Sequence, residues 1–171
     1  MIIFDSSTLI LLTKIGLIRY VLNDYKDDAF ITAAVKAEAT AKVTFAGLLI
    51  KHFIETGKIK VKATEGNEIA KLMTDFRLDR GEAETIALAL KLKGSLVATD
   101  DKNAINACRV VRLDFATAVD FLVRAKEKEL LEREEAFVML EKLTKFGRYS
   151  FDIVKEAKAK IAGGKQNEKN A

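Results

Sequence analysis

The 171-residue sequence contains one cysteine, Cys108, and one histidine, His52. A single cysteine excludes a disulfide within the chain and is typical of a reducing compartment, so we expect a cytoplasmic protein. Zinc sites built from several histidine or cysteine ligands are excluded for one copy of the chain. A Ser-His-Asp triad would need His52, which lies in a predicted helix with no preceding G-x-S-x-G motif, so we expect none.

Long apolar runs are also missing. No stretch approaches the roughly 18 to 20 apolar residues that a membrane-spanning helix needs, and "MIIFD" lacks the regions of a signal peptide. We therefore expect no membrane association. Apolar residues make up 49% of the chain and charged residues 32%, with a net charge of +4. This balance favours a globular protein whose mildly basic surface suits a polyanionic partner.

Short apolar segments alternate with helical patterns along most of the chain. Strands are predicted at 1–4, 29–32, 58–62 (exposed or at an edge), 95–99 and 109–113. Helices are predicted at 9–22 (broken at Gly16), 33–55 (bent at Gly47), 65–76, 79–92, 103–108, 115–128, 132–145 and 150–162. The alternation implies βαβ units, hence a three-layer α/β/α sandwich with a central, mostly parallel sheet.

The same pattern predicts the domain organisation. We expect one domain over 1–162 and a disordered C-terminal tail over 163–171, because "GGKQNEKNA" is polar and rich in glycine and lysine. The apolar positions of "FLVRAKEKELLEREEAFVMLEKL", residues 121–143, would serve either as core or as a face for a second subunit.

Carboxylates follow two of the predicted strands. Asp5 comes directly after the first strand, and Asp100 and Asp101 come after the strand at 95–99. Ligands of parallel sheets collect at the carboxyl ends of the strands, so these acids are expected at one edge. Four separate segments offer an acid there: Asp5, Glu38, Glu82 or Glu84, and Asp100 with Asp101.

Adjacent carboxylates at the end of a buried strand repel each other unless water or a cation separates their charges. A hard divalent cation such as Mg²⁺ prefers oxygen ligands and activates water towards a phosphoryl group, which needs no protein nucleophile. Each acid also has a structural interpretation, because an Asp after a strand is often a helix N-cap. The residues alone leave both interpretations open.

Glu82 and Glu84 cannot both face such a site, because two residues along a helix are about 200° apart. Glu82 follows Asp79 by three positions, the spacing of a capping box, which would give Glu82 a structural role. The choice between the two acids stays open at this level.

Four blocks of the sequence resemble the signature blocks of the PIN domain family: "IIFDSSTLI", "ITAAVKAEA", "LDRGEAETIALALKLKG" and "LVATDDKNA". The third block is most similar to that of VapC-like archaeal and bacterial members, in which G-E-x-E is followed by I-x-L-A. The resemblance implies a PIN-like fold whose clustered acids bind Mg²⁺ or Mn²⁺ and cleave single-stranded RNA with metal-activated water. It also implies a homodimer, and an antitoxin partner if the protein is a toxin.

The resemblance assigns residues block by block. It implies the catalytic acids Asp5, Glu38, Glu82 and Asp101, and the metal ligands Asp5, Asp100, Asp101, Glu82 and Glu84. Family members usually have alanines five and seven positions after the third acid; Ala87 and Ala89 stand there relative to Glu82, which favours Glu82 over Glu84.

Three small hydroxyl residues match positions that orient the acids or the attacking water in the family, namely Ser6, Ser7 and Thr99. Helix capping and strand termination are the alternative interpretation of these residues. The third block is offset by about one residue from the family pattern, so a catalytically degenerate PIN-like RNA-binding or interaction module is the alternative function.

Overall fold

The computed structural model describes residues 1–26 and 28–163, which form five β-strands and ten α-helices. The strands are β1 (Ile2–Phe4), β2 (Ala29–Thr32), β3 (Lys60–Lys62), β4 (Leu96–Ala98) and β5 (Asp114–Ala116). The helices are α1 (Ser6–Ile15), α2 (Ile18–Tyr25), α3 (Ala33–Ala39), α4 (Phe45–Glu55), α5 (Asn67–Phe76), α6 (Arg80–Lys91), α7 (Lys102–Val111), α8 (Ala118–Glu127), α9 (Arg133–Phe146) and α10 (Phe151–Ile161).

The strands pair in the order β3-β2-β1-β4-β5, and every pairing is parallel. β1 is therefore the central strand, and its three residues are fully buried. Consecutive parallel strands need a crossover, and α-helices supply it at each step along this chain. The predicted three-layer α/β/α sandwich with a parallel central sheet is confirmed.

The core has an apolar layer on each side of β1. Ile3 packs in one cluster with Phe30 and Val97 of the neighbouring strands and with the apolar faces of α5, α6 and α7. The alternate residues Ile2 and Phe4 point to the opposite face and are also fully buried, so helices must cover both faces of the sheet.

The chain divides into two compact units, Met1–Ala118 and Val119–Ala171. The first contains the whole sheet and α1 to α7. In the second, α9 packs against α10, and the buried residues of these helices include Leu140 and Ala157. This division reflects how compact each unit is and does not test the number of domains. The single domain expected over 1–162 therefore stays a prediction. Of the tail expected over 163–171, only Gly163 lies among the described residues.

The helical segment expected over 33–55 is two helices, so that prediction was wrong. α3 ends at Ala39, and Thr44 begins α4 as an N-cap whose Oγ1 accepts a hydrogen bond from the Gly47 amide at 3.1 Å. Gly47 is not a bend. A Cβ at this position would lie 2.7 Å from the Lys42 carbonyl oxygen, so the close approach of the chain requires glycine.

The prediction of a strand over 109–113 was also wrong. α7 continues to Val111, Arg112 ends it with a φ of 59°, and the strand is Asp114–Ala116 instead. Helical packing decides the outcome, because Ala107 and Cys108 on the inner face of α7 are fully buried while Val110 points outward. The β preference of neighbouring valines is weaker than this burial.

The predicted break at Gly16 is confirmed, since this residue ends α1 with a φ of 85°. Among the described residues, no helix combines the length and the apolar character that crossing a bilayer requires.

The register of the sheet supplies a matched stability test. Ile31 of β2 pairs with Val61 of β3, yet Ile31 is fully buried and Val61 is 38% exposed at the sheet edge. We expect Ile31→Ala to lower the free energy of unfolding by about 2–5 kcal/mol, and Val61→Ala by less than about 1 kcal/mol. Urea unfolding followed by circular dichroism measures both, and equal losses would contradict the described position of β3.

Candidate active site

The order of the strands creates a crevice between β1 and β4. The chain proceeds from β1 through β2 to β3 on one side, and then returns to the other side of β1 to form β4. Ligands bind at the carboxyl ends of the strands at such a switch point. Asp5 directly follows β1, and its amide donates to the carbonyl of Ala98, the last residue of β4, at 3.0 Å.

Asp5 is a buried carboxylate held by uncharged donors. Its Oδ1 accepts hydrogen bonds from the Thr8 amide at 2.7 Å and the Ser7 hydroxyl at 3.3 Å, and its Oδ2 accepts one from the Thr99 hydroxyl at 2.5 Å. Burial raises the pKa of Asp5 to about 6, against the effect of these hydrogen bonds, and the charge of Asp100 raises it further.

The hydroxyl residues around Asp5 differ in their roles. The hydroxyls of Ser7 and Thr99 donate hydrogen bonds to its carboxylate. Ser6 is buried in the first turn of α1, and its side chain contributes none of the described hydrogen bonds to Asp5.

Thr8 was missed by the sequence analysis. Its amide donates to Asp5, and its hydroxyl donates to Asp100 Oδ2 at 2.9 Å, so one fully buried residue joins the two carboxylates. The backbone amide of Ala118 also donates to Asp100, at 3.2 Å. The capping position three residues after Asp5 was the available signal for the amide contact, but the contact to Asp100 depends on strand order.

Asp101 caps the N-terminus of α7. Its Oδ1 accepts hydrogen bonds from the amides of Asn103 at 2.7 Å and Ala104 at 3.0 Å. Its own amide donates to Thr99 Oγ1 at 3.2 Å. Thr99 therefore links Asp5 to Asp101 at the start of α7, and it holds these two acids together at the end of β4.

Glu82 lies near enough to other acids for their negative charges to affect it. It forms the predicted capping box with Asp79: the Glu82 amide donates to Asp79 at 2.8 Å, and the Asp79 amide donates to Glu82 Oε2 at 2.9 Å. Partial burial raises the pKa of Glu82 to about 7, and the negative charges of Asp79, Asp101 and Asp5 raise it in turn. The capping role and the acidic surroundings therefore coexist in one residue.

Glu84 has a different environment, two residues along the same helix. It is 4% exposed and accepts hydrogen bonds from Arg80 Nε at 2.8 Å and from the Ala34 amide at 3.3 Å. Its carboxylate thus joins the start of α3 to α6 and has its own cation. The structure does not bring Glu84 into the group formed by the other acids.

Glu38 reaches the first turn of α6 from α3. A Cβ added to Gly81 would lie 3.6 Å from Glu38 Oε2, so this exposed carboxylate lies beside the residue that precedes Glu82. The acids from all four predicted segments therefore lie at the carboxyl edge of the sheet, with Glu82 as the member from α6.

The donor set matches the chemistry of a hard divalent cation, because every candidate ligand is a carboxylate oxygen. Within residues 1–26 and 28–163, however, no three His, Cys, Asp or Glu side chains lie close enough together to hold a metal ion as they stand. Mg²⁺ is often bound through one or two carboxylates, with waters and substrate phosphates completing its shell, and the acids here fit that mode.

A family model described as "DUF3368: PIN domain" matches residues 1–162. The chain belongs to the PIN domain family. PIN domains are generally nucleases and typically use divalent metal ions, which agrees with an acidic crevice at the switch point. Searches of the curated proteins and of the solved structures found no match.

The burial of Asp5 predicts how the stability of this PIN domain changes with pH. Its pKa is about 6 in the folded state and 3.8 in the unfolded chain, so the folded state keeps the proton to a higher pH. Stability should therefore fall as the pH rises from about 4 to about 6, by on the order of 2 to 3 kcal/mol. In Asp5→Asn, the fall in stability that Asp5 causes over this pH range should be absent.

Urea unfolding of both proteins in EDTA, at intervals from pH 4 to 7, measures the effect. Glu82 adds its own decline, which extends towards pH 7, in both proteins; its pKa should be lower in Asp5→Asn, where the charge of Asp5 is absent. Parallel stability curves for the two proteins would contradict the described environment of Asp5.

Proposed function

We propose that this PIN domain is a metal-dependent endoribonuclease that cleaves single-stranded RNA. The observation that carries the proposal is the proximity of Asp5, Glu82 and the Asp100–Asp101 pair at the switch point. There, in addition to burial, the charges of Asp101 and Asp5 raise the pKa of Glu82, and the charge of Asp100 raises the pKa of Asp5. A cation would relieve that repulsion, and a phosphodiester brings its own negative charge to the same ion.

Asp5 and Asp101 are the residues best placed to hold the ion, with Asp100 beside them. Thr8, Thr99 and the amides of α7 fix the orientation of all three carboxylates, so little order would be lost when a cation binds. A divalent ion held there, Mg²⁺ or Mn²⁺, would polarise the phosphoryl oxygens and activate the attacking water.

Glu82 supplies a group that can exchange a proton near neutral pH. Its pKa is about 7, and its Oε2 accepts from the Asp79 amide, which leaves Oε1 to carry the proton. A carboxyl with such a pKa can take a proton from water or return one to a leaving oxygen. Glu38, whose Oε2 lies beside Gly81, adds negative charge to the same edge.

A second candidate function is a non-catalytic RNA-binding or interaction module. It is favoured by the geometry of the acids, since no three of them among the described residues are placed to hold a metal ion without movement. Isothermal titration with Mn²⁺ separates the two functions, because a catalytic site should bind the ion and a degenerate one should bind it weakly or not at all.

The biological setting belongs to the proposal as well. We expect the substrate to be single-stranded RNA in the cytoplasm, the active protein to be a homodimer, and an antitoxin to restrain it if it is a toxin. A small antitoxin gene beside this one would support the toxin role, and the exposed side chains of Val138 in α9 and Ile153 in α10 are available to a second copy.

Removing either central acid should abolish cleavage. We expect Asp5→Asn and Asp101→Asn to lower the cleavage rate of a labelled single-stranded RNA at least about 100-fold while circular dichroism shows an intact fold. Mg²⁺ should raise the unfolding midpoint of the unmodified protein but not that of Asp5→Asn. Glu55→Gln, an equal charge change at an exposed position in α4, is the matched control. Full activity in both aspartate variants would refute the site.

Glu82 and Glu84 should respond in opposite ways. Glu82→Gln keeps an oxygen for the Asp79 amide but loses the proton-exchanging carboxyl, so activity should fall at least about tenfold with little loss of stability. Glu84→Gln replaces a buried carboxylate that accepts hydrogen bonds from Arg80 and from the Ala34 amide, so the free energy of unfolding should fall by about 1–3 kcal/mol. We expect the folded Glu84 variant to cleave RNA. The reverse pattern would show that Glu84 is the third acid.

A further inference from the structure

A cavity of about 410 Å³ opens at the same edge of the sheet as the acids. It lies between the chain segment that follows β3, the first turns of α5, and Arg80. β3 is parallel to β2, and β2 to β1, so the segment after β3 emerges at the edge where Asp5 follows β1. Arg80 is the first residue of α6 and precedes Glu82 by two positions.

Thr64 lines this cavity, and the hydroxyl of its side chain lacks the hydrogen bond that a buried hydroxyl normally makes. Thr64 is 8% exposed, and its Oγ1 is the one buried side-chain nitrogen or oxygen of the described residues that has no hydrogen-bond partner. A buried hydroxyl without a partner destabilises the folded state. Other buried threonines of the same unit, such as Thr13 and Thr85, donate to a backbone carbonyl one helical turn away.

The rest of the lining indicates what class of group would fit. Ile69, Ala70 and Met73 of α5 give the cavity an apolar wall, and Arg80 stands at its border with its cation already paired to Glu84. An apolar wall with a few polar groups and a volume above about 300 Å³ is typical of a pocket for a small organic group, and a nucleobase is a group of that kind. Glu65 also lines it, which disfavours a phosphate group.

We infer that this cavity binds one base of the RNA strand whose phosphodiester lies at the acids. The base would lie against Ile69 and Met73 and beside the Arg80 guanidinium, and a rotation about χ1 would turn the Thr64 hydroxyl towards an edge of the base. Proteins recognise single-stranded RNA by this combination of stacking and edge hydrogen bonds. The inference rests on the proposed function and makes the cavity its specificity-determining site.

Two variants test the cavity from different sides. Thr64→Val removes the orphaned hydroxyl and keeps the shape, so we expect a higher urea midpoint together with about three- to tenfold weaker binding of the preferred RNA. Ala70→Phe fills the cavity from an exposed position of α5 and should abolish the preference among bases. Thr13→Val and Ala159→Phe make the same substitutions at residues that do not line the cavity, and they should leave binding unchanged.

The measurement is fluorescence anisotropy of labelled single-stranded oligonucleotides of A, C, G or U with the full-length chain in EDTA, so that no cleavage occurs. Unchanged affinity and base preference in Thr64→Val and Ala70→Phe would overturn the inference, as would an intact chain that binds none of the strands. If Thr64→Val fails to fold, Ala70→Phe alone decides. Cleavage of the same oligonucleotides in Mg²⁺, measured in parallel, shows separately whether the proposed nuclease function holds.

Discussion

The parallel pairing of β1 with β4 is the constraint on which the rest of the site depends. It places the residue after Phe4 beside the residue after Ala98, so that the Thr99 hydroxyl donates to Asp5 across the crevice. A carboxylate that is 2% exposed needs hydrogen bonds, and here uncharged donors supply them. Donors of this kind hold Asp5 in place without cancelling its charge, as the proposed binding of a cation requires.

The same logic separates two acids on one helix. Glu84 is buried against Arg80, and a carboxylate with its own cation has little left to offer a metal ion or a substrate. Glu82 is partly buried and lies near Asp5 and Asp101, and both its burial and these negative charges raise its pKa. Two residues of helical rotation are therefore enough to turn one side chain into a structural ion pair and the other into a candidate proton carrier.

Local signals in the sequence predicted much of this arrangement. The apolar segments "IIF" and "LVA" gave the two strands of the crevice, and the residues after them gave Asp5 and Asp101. What depended on distant contacts was not predictable in the same way. The hydrogen bond from Thr8 to Asp100 depends on the order of the strands. Val110 and Val111 are helical because the opposite face of α7 is buried.

The distribution of unfavourable groups along the sheet also supports a functional edge. The buried charge of Asp5 and the unpaired hydroxyl of Thr64 both lower stability, and both follow parallel strands at the carboxyl end. Elsewhere in the same unit, Thr13 and Thr85 are buried with their hydrogen bonds made. Departures from good packing chemistry tend to lie where a protein binds or reacts. Finding two of them on one edge is what a site that gains its missing partners from an ion and an RNA strand would produce.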